Sequence, residues 1–150
     1  MIKELRKKPN SWLTLRVCIT SFNHFREKLH FDQPIPSLQE EHERKLGAIL
    51  NSVAQTYGGK HLNISILEAS SAYLNQLVRG HAFLNGNKRM AVLFTHIFLL
   101  MNGVNLNLSF KGFYNLALIV ALMAEKGYSS EKTKGFCRHV IQKYSVKSEL

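Results

Sequence analysis

GHAFLNGNKRMAVLFTHIFLLMNG, residues 80–103, turns from polar to apolar within one helical turn. Its first part packs His81, Asn85, Asn87, Lys88 and Arg89 into nine positions. Its second part, from about Asn87 to Asn102, carries Met90, Ala91, Val92, Leu93, Phe94, Ile97, Phe98, Leu99 and Leu100, with Gly103 as a stop. A helix that is apolar nearly all round sits inside a bundle. The unbroken run MAVLFTHIFLLM is only twelve residues and includes His96. That is too short to cross a bilayer, so no membrane association is expected.

Working outward, apolar residues recur at helical spacing on both sides. Trp12, Leu15, Ile19, Phe22, Phe25 and Leu29 predict a helix beginning near Ser11, broken by HFDQPIPS. Leu38, Leu46, Ile49, Leu50 and Val53 predict a second, ending before YGGK, where two glycines permit left-handed backbone. A third, capped by Asn63 or Ser65, runs through Leu67, Tyr73, Leu74, Leu77 and Val78 to Gly80. After GVNLNLS, read as a short extended piece, come helices over about 110–125 and 130–144. The expected fold is all-α: one compact domain over residues 1–150, about six helices around the central hydrophobic helix.

Composition agrees with that reading. A chain of 150 residues with 45% hydrophobic content buries enough surface to need neither disulfide nor metal. Cys18 and Cys137 form no CxxC pair, which fits small core thiols in a reducing, cytoplasmic setting. The start MIKELRKKPN is too charged for a secretory leader and reads as a solvated face or arm. The net charge of +10 attracts anions without naming one.

The polar knot admits two readings. In one it is a helix cap, with Asn85 and Asn87 on backbone N–H groups and Lys88 and Arg89 solvated. In the other it is an anion site. Helix N-terminal amides and the helix dipole favour a phosphate, and Gly86 lets backbone approach it closely. Cations in a first helical turn oppose the dipole, and a bound phosphate would supply their reason: Arg89 as a fork, Lys88 as a point charge. His81, kept neutral among basic neighbours, could take a proton from an attacking hydroxyl. Asn85 could offer an amide oxygen to a magnesium ion held mainly by nucleotide phosphates. Phe83 would pin the loop to the core.

HAFLNGNKR resembles the signature of the Fic/Doc family, roughly H-x-F-x-(D/E/N)-(G/A)-N-(G/K)-R. The likeness continues through AYLNQLVRG before it and the helix ending in NG after it, and LGAILNSVAQTYGGK is similar to the segment preceding the core in Doc-type (death-on-curing) members. It covers most of residues 13–144. The resemblance implies an all-α fold that transfers part of ATP to a protein hydroxyl. By position it makes His81 the general base, Asn85 the metal ligand for Mg2+, and Gly86, Asn87 and Arg89 the phosphate cradle, with Lys88 beside them. It makes about Ile49 to His61 a flap that aligns the target, in which Lys60 and His61 are candidate contacts.

Four departures bear on the chemistry. Ala82 stands where Pro is usual. AMP-transferring members have Gly where this chain has Lys88, and a second Arg where it has Val92. In Doc-like members that Lys accompanies an inverted nucleotide, so the resemblance implies a kinase acting on a threonine of a protein such as elongation factor Tu. Asn85 replaces a carboxylate and should bind a hard cation more weakly. The inhibitory pattern (S/T)-x-x-x-E-(G/N) of some members is met only poorly, by SVKSEL and SLQEEH, so a separate antitoxin chain is expected. The alternatives kept open are AMP transfer, a weak homologue that only binds nucleotide or partner, and a basic nucleic-acid-binding protein. The last lacks a recognisable reading helix and is disfavoured. His96 is read as a packed core histidine with a polar partner.

Overall fold

The structure, a computed structural model, describes residues 1–26, 28, 36–83 and 86–149. A 3₁₀ turn over Lys3–Arg6 is followed by helices α1 (Leu15–Phe25) and α2 (Glu40–Ala54). A small hairpin of β1 (Thr56–Tyr57) and β2 (Lys60–His61) leads to α3 (Ile66–Arg79) and α4 (Asn87–Met101). Then come β3 (Val104–Leu106), α5 (Phe110–Glu125), α6 (Ser130–Tyr144) and β4 (Ser145–Lys147). The hairpin pairs Thr56 with His61, and β3 pairs antiparallel with β4, Asn105 opposite Val146. The all-α expectation holds, with six helices and only short strands among the described residues.

Local chemistry sets most helix starts. Thr14, Ser65, Ser109 and Ser129 each accept a backbone N–H three residues on, opening α1, α3, α5 and α6. The first of these corrects the expected start near Ser11: the hydroxyl that caps belongs to Thr14. α1 ends at Phe25 rather than Leu29, and Leu29 lies outside the described residues. Of the two candidate caps for α3, Ser65 is the one used; Asn63 instead donates to the Val53 carbonyl (2.9 Å) and accepts from Lys134 (3.1 Å).

The most deeply buried helix is α3, not the more hydrophobic α4. Eleven of the 14 residues of α3 are buried, against eight of 15 in α4. α3 touches α2, α4, α5, α6 and the 3₁₀ turn. Its run Ala69, Ser70, Ser71, Ala72 is small enough for neighbours to approach on every side. Both serine hydroxyls are satisfied inside the helix by the Leu67 carbonyl, at 3.1 and 2.7 Å, so their burial leaves no unpaired donor. α5, almost wholly apolar, buries Phe113, Ala117 and Val120 but leaves Leu118, Ile119 and Leu122 exposed.

Side chains then tie the layers. Glu68 of α3 takes a two-pronged bond from Arg138 of α6 (2.7 and 3.1 Å), with Lys134 at 3.2 Å. Asn75 bonds Ser130 and Thr133 across the same interface. Asn102, at the end of α4, accepts from the backbone of Asn10 (2.8 Å) and Ser11 (3.2 Å) and donates to Ser11 and Phe98 carbonyls. The N-terminal segment is therefore not a solvated arm. Leu5 is fully buried, Glu4 nearly so, and the Lys7 carbonyl accepts from Ile66 N–H (2.8 Å). Hydrophobic closure of one leucine overrides the charge of its neighbours. GVNLNLS does contain an extended piece, β3, and its partner β4 takes up Ser145 to Lys147, the first half of SVKSEL.

Candidate active site

The loop between α3 and α4 is built by three constraints. The first is at Gly80, whose φ of −80° and ψ of −13° are right-handed. The helix ends there, as expected. A Cβ there would lie 2.5 Å from Cδ1 of Ile49 in α2 and 2.7 Å from the Gln76 backbone carbonyl of α3; the side-chain end can shift but the carbonyl cannot easily, so glycine is favoured. The left-handed turn falls on the next residue instead: His81 has φ +47°, the one non-glycine positive φ among the described residues. Such geometry in a side-chain-bearing residue costs about 1–2 kcal/mol and persists only where the surroundings impose it.

The second constraint is apolar. Ala82 and Phe83 turn inward, and Phe83 stacks face to face on Phe22 of α1 (5.2 Å between centroids, 5° between planes) with Phe94 of α4 at 6.0 Å. The third is polar. The Asn87 side chain accepts from Phe83 N–H (2.9 Å) and donates to the Phe83 carbonyl (3.0 Å). That clasp closes the loop on itself and commits the Asn87 amide, leaving its backbone as what it could offer an anion. Leu84 and Asn85, the expected metal ligand among them, lie outside the described residues.

α4 begins at Gly86, left-handed at φ +84°. Its N-cap residue, a glycine, brings no side chain to cap it, and its first turn holds no acid but two cations. Lys88 is half-buried and Arg89 buried at 6% exposure. His81 is exposed. His81 and Lys88 share a cleft of about 270 Å³ floored by Val78, Ala121 and Ala124, with Arg79 and Glu125 at its edge. The structure thus gathers a histidine, a lysine and a helix N-terminus, with the buried arginine in the same turn. Arg79 and Glu125 were not anticipated. Glu125 is the last residue of α5 and nothing in its local pattern marks it; Arg79 donates to the Tyr128 carbonyl (3.2 Å) and Thr133 (3.4 Å), bracing the α5–α6 turn.

The expected flap splits in two. Ile49 to Ala54 are helical, and Ile49 meets the loop directly at Gly80. Only residues 56–61 form the hairpin. Lys60 and His61 line a different cleft, with Lys8 and Pro9. The His61 ring stacks on Trp12 (4.3 Å) and its Nδ1 lies 2.7 Å from the Ala54 carbonyl. His96 Nε2 lies 2.8 Å from Asn105 Oδ1. Among the described residues no group of three His, Cys, Asp or Glu could hold a metal, and no helix is long and apolar enough to cross a membrane.

Chemically, this arrangement can accept a proton at an exposed imidazole while cations and helix amides hold negative charge beside it. A family model described as the Fic/DOC family matches residues 16–99, more than half of the chain. No curated protein and no solved structure matches it.

Proposed function

The chain belongs to the Fic/DOC family, whose members modify proteins by nucleotidyl or phosphoryl transfer, and on that premise we propose that it is a Doc-like kinase. In this reading it moves the γ-phosphoryl group of ATP to a hydroxyl, a threonine, of a protein target such as elongation factor Tu. The observation that carries the reading is the shared cleft of His81 and Lys88 at the N-terminus of α4. His81 takes the proton of the attacking hydroxyl. The hydroxyl oxygen bonds to the γ-phosphorus, the bond to the bridging oxygen breaks, and ADP leaves. Lys88, Arg89 and the backbone at Gly86 and Asn87 hold the phosphate charge. A lysine at residue 88 in place of a glycine, and Val92 where a second arginine would stand, favour γ over α transfer.

Mg2+ would be carried mainly by the nucleotide phosphates, with Asn85 as the chain's own ligand. The chain would act as the toxin of a pair restrained by a separate antitoxin. Supporting this, Ser145 opens a strand and the Ser37 stretch becomes helical only at Glu40, so neither candidate inhibitory segment forms the required helix.

The test uses lysate and ATP labelled at the α or the γ phosphate, with the protein and with His81→Ala. His81-dependent label from γ alone is the expected result. Label from α identifies AMP transfer and overturns the kinase reading. No His81-dependent label from either position overturns both.

A further inference from the structure

A second feature lies around the chain's N-terminal turn, in a groove separate from the cleft of His81. Lys3, Lys7 and Lys8 line one side of it and Lys147 of β4 the other, with Asn102 and Gly103 between them. The groove holds about 720 Å³, within the range of natural binding sites. All four lysines are exposed, and among the described residues none is ion-paired. The one acid lining the groove, Glu4, is 9% exposed.

The backbone beneath these lysines is held in place. Leu5 anchors the 3₁₀ turn in the core, and the Lys7 carbonyl is bonded to α3. The Asn102 amide grips Asn10 and Ser11. β4 is paired to β3, and Ser148 N–H donates to the Gly103 carbonyl (2.9 Å). Four like charges on a rigid frame repel one another unless an anion enters, so the groove is preorganised for negative charge.

Through Lys8 the groove meets a smaller cleft of about 190 Å³ that holds Lys60 and Ile64. Ile64 is 64% exposed and its neighbour Leu62 is 55% exposed. Cations and the bare aliphatic side chain of Ile64 therefore share one face. From this we infer that the groove docks an acidic segment of a partner protein, one carrying apolar side chains among its carboxylates. Nucleic acid fits less well. Neither lining includes an arginine, and the one ring present, His61, already stacks on Trp12. The inference stands on the groove and is independent of the transfer reaction.

The test is fluorescence anisotropy of the full chain with a short labelled peptide of glutamates interspersed with leucine. Controls are a peptide with lysine for glutamate and a single-stranded oligonucleotide of equal length. The glutamate peptide should bind best. Reversing three charges (Lys3→Glu, Lys7→Glu, Lys147→Glu) should weaken it about tenfold or more, Ile64→Ser should weaken it less, and His81→Ala should leave it unchanged. Amide chemical-shift changes on peptide addition should cluster at residues 3–8, 62–64 and 147 of the wild-type chain, a readout that needs no variant to fold. Failure of the glutamate peptide to bind, tighter binding of the oligonucleotide, or shift changes elsewhere overturns the inference. Since His81→Ala is silent here and decisive in the labelling experiment, each proposal can fail without the other.

Discussion

Cδ1 of Ile49 occupies the place where a side chain on Gly80 would begin, 2.5 Å from the ideal Cβ position. This contact joins α2 to the turn that presents His81, and together with the Gln76 carbonyl it leaves little room for a side chain at residue 80. Gly80→Ala should destabilise the protein by about 1–3 kcal/mol and lower transfer activity further than stability alone accounts for. Adding Ile49→Val removes the clashing methyl but not the 2.7 Å approach of the Gln76 carbonyl, so rescue should be partial. Urea unfolding of the two variants checks this; complete rescue would show the backbone contact to be harmless.

His81 bears the left-handed turn that Gly80 does not. His81→Gly and His81→Ala both remove the imidazole, but only glycine is at ease at φ +47°. The glycine variant should be the more stable of the two by about 1 kcal/mol, with both inactive in transfer. Equal melting temperatures would mean the strain is not present in solution.

Asn87 holds the loop through both ends of its amide. Asn87→Asp keeps an acceptor for Phe83 N–H and loses the donor to its carbonyl; Asn87→Ala loses both. Stability should fall in the order Asn, Asp, Ala, by about 1–3 kcal/mol in all. Hydrogen exchange at Phe83 should rise most in the alanine variant.

Glu68 carries the clearest pH dependence. The bond from Arg138, helped by Lys134, holds its carboxyl below the ordinary 4.5 against the opposing effect of burial. Folding favours the charged form, so the stabilisation is present above pH 4.5 and is lost as the pH falls through the lower folded value. Denaturation midpoints measured across that range should drop for the wild type and drop less for Glu68→Gln. Identical profiles would show the α3–α6 ion pair to contribute nothing.

Burial pushes the Cys18 and Cys137 thiols up to about 12. Both should resist a thiol reagent in the native protein and react only as it unfolds. Labelling at rates unrelated to unfolding would contradict their burial.

Periodicity and capping chemistry sufficed for the helices because both act over a few residues. The apolar repeats of α1 to α4, the cap of α3 as one of two candidates, and the motif from His81 to Arg89 are local patterns legible in the chain as written. The tertiary structure decided what depends on contacts distant in sequence. It made polar-looking α3 the axis of the bundle, since Ser70 and Ser71 hide their hydroxyls on a carbonyl four or fewer residues away. It drew the charged N-terminus inward, burying Leu5 and tying the Lys7 carbonyl to the Ile66 N–H of α3. It placed the left-handed turn at His81, the residue after Gly80, and brought Ile49 of another helix against that glycine. Sequence determines which segments can be helices and which residues carry the chemistry; only packing determines which atoms crowd one another, and here it brings Ile49 of α2 against the turn that precedes the candidate catalytic histidine.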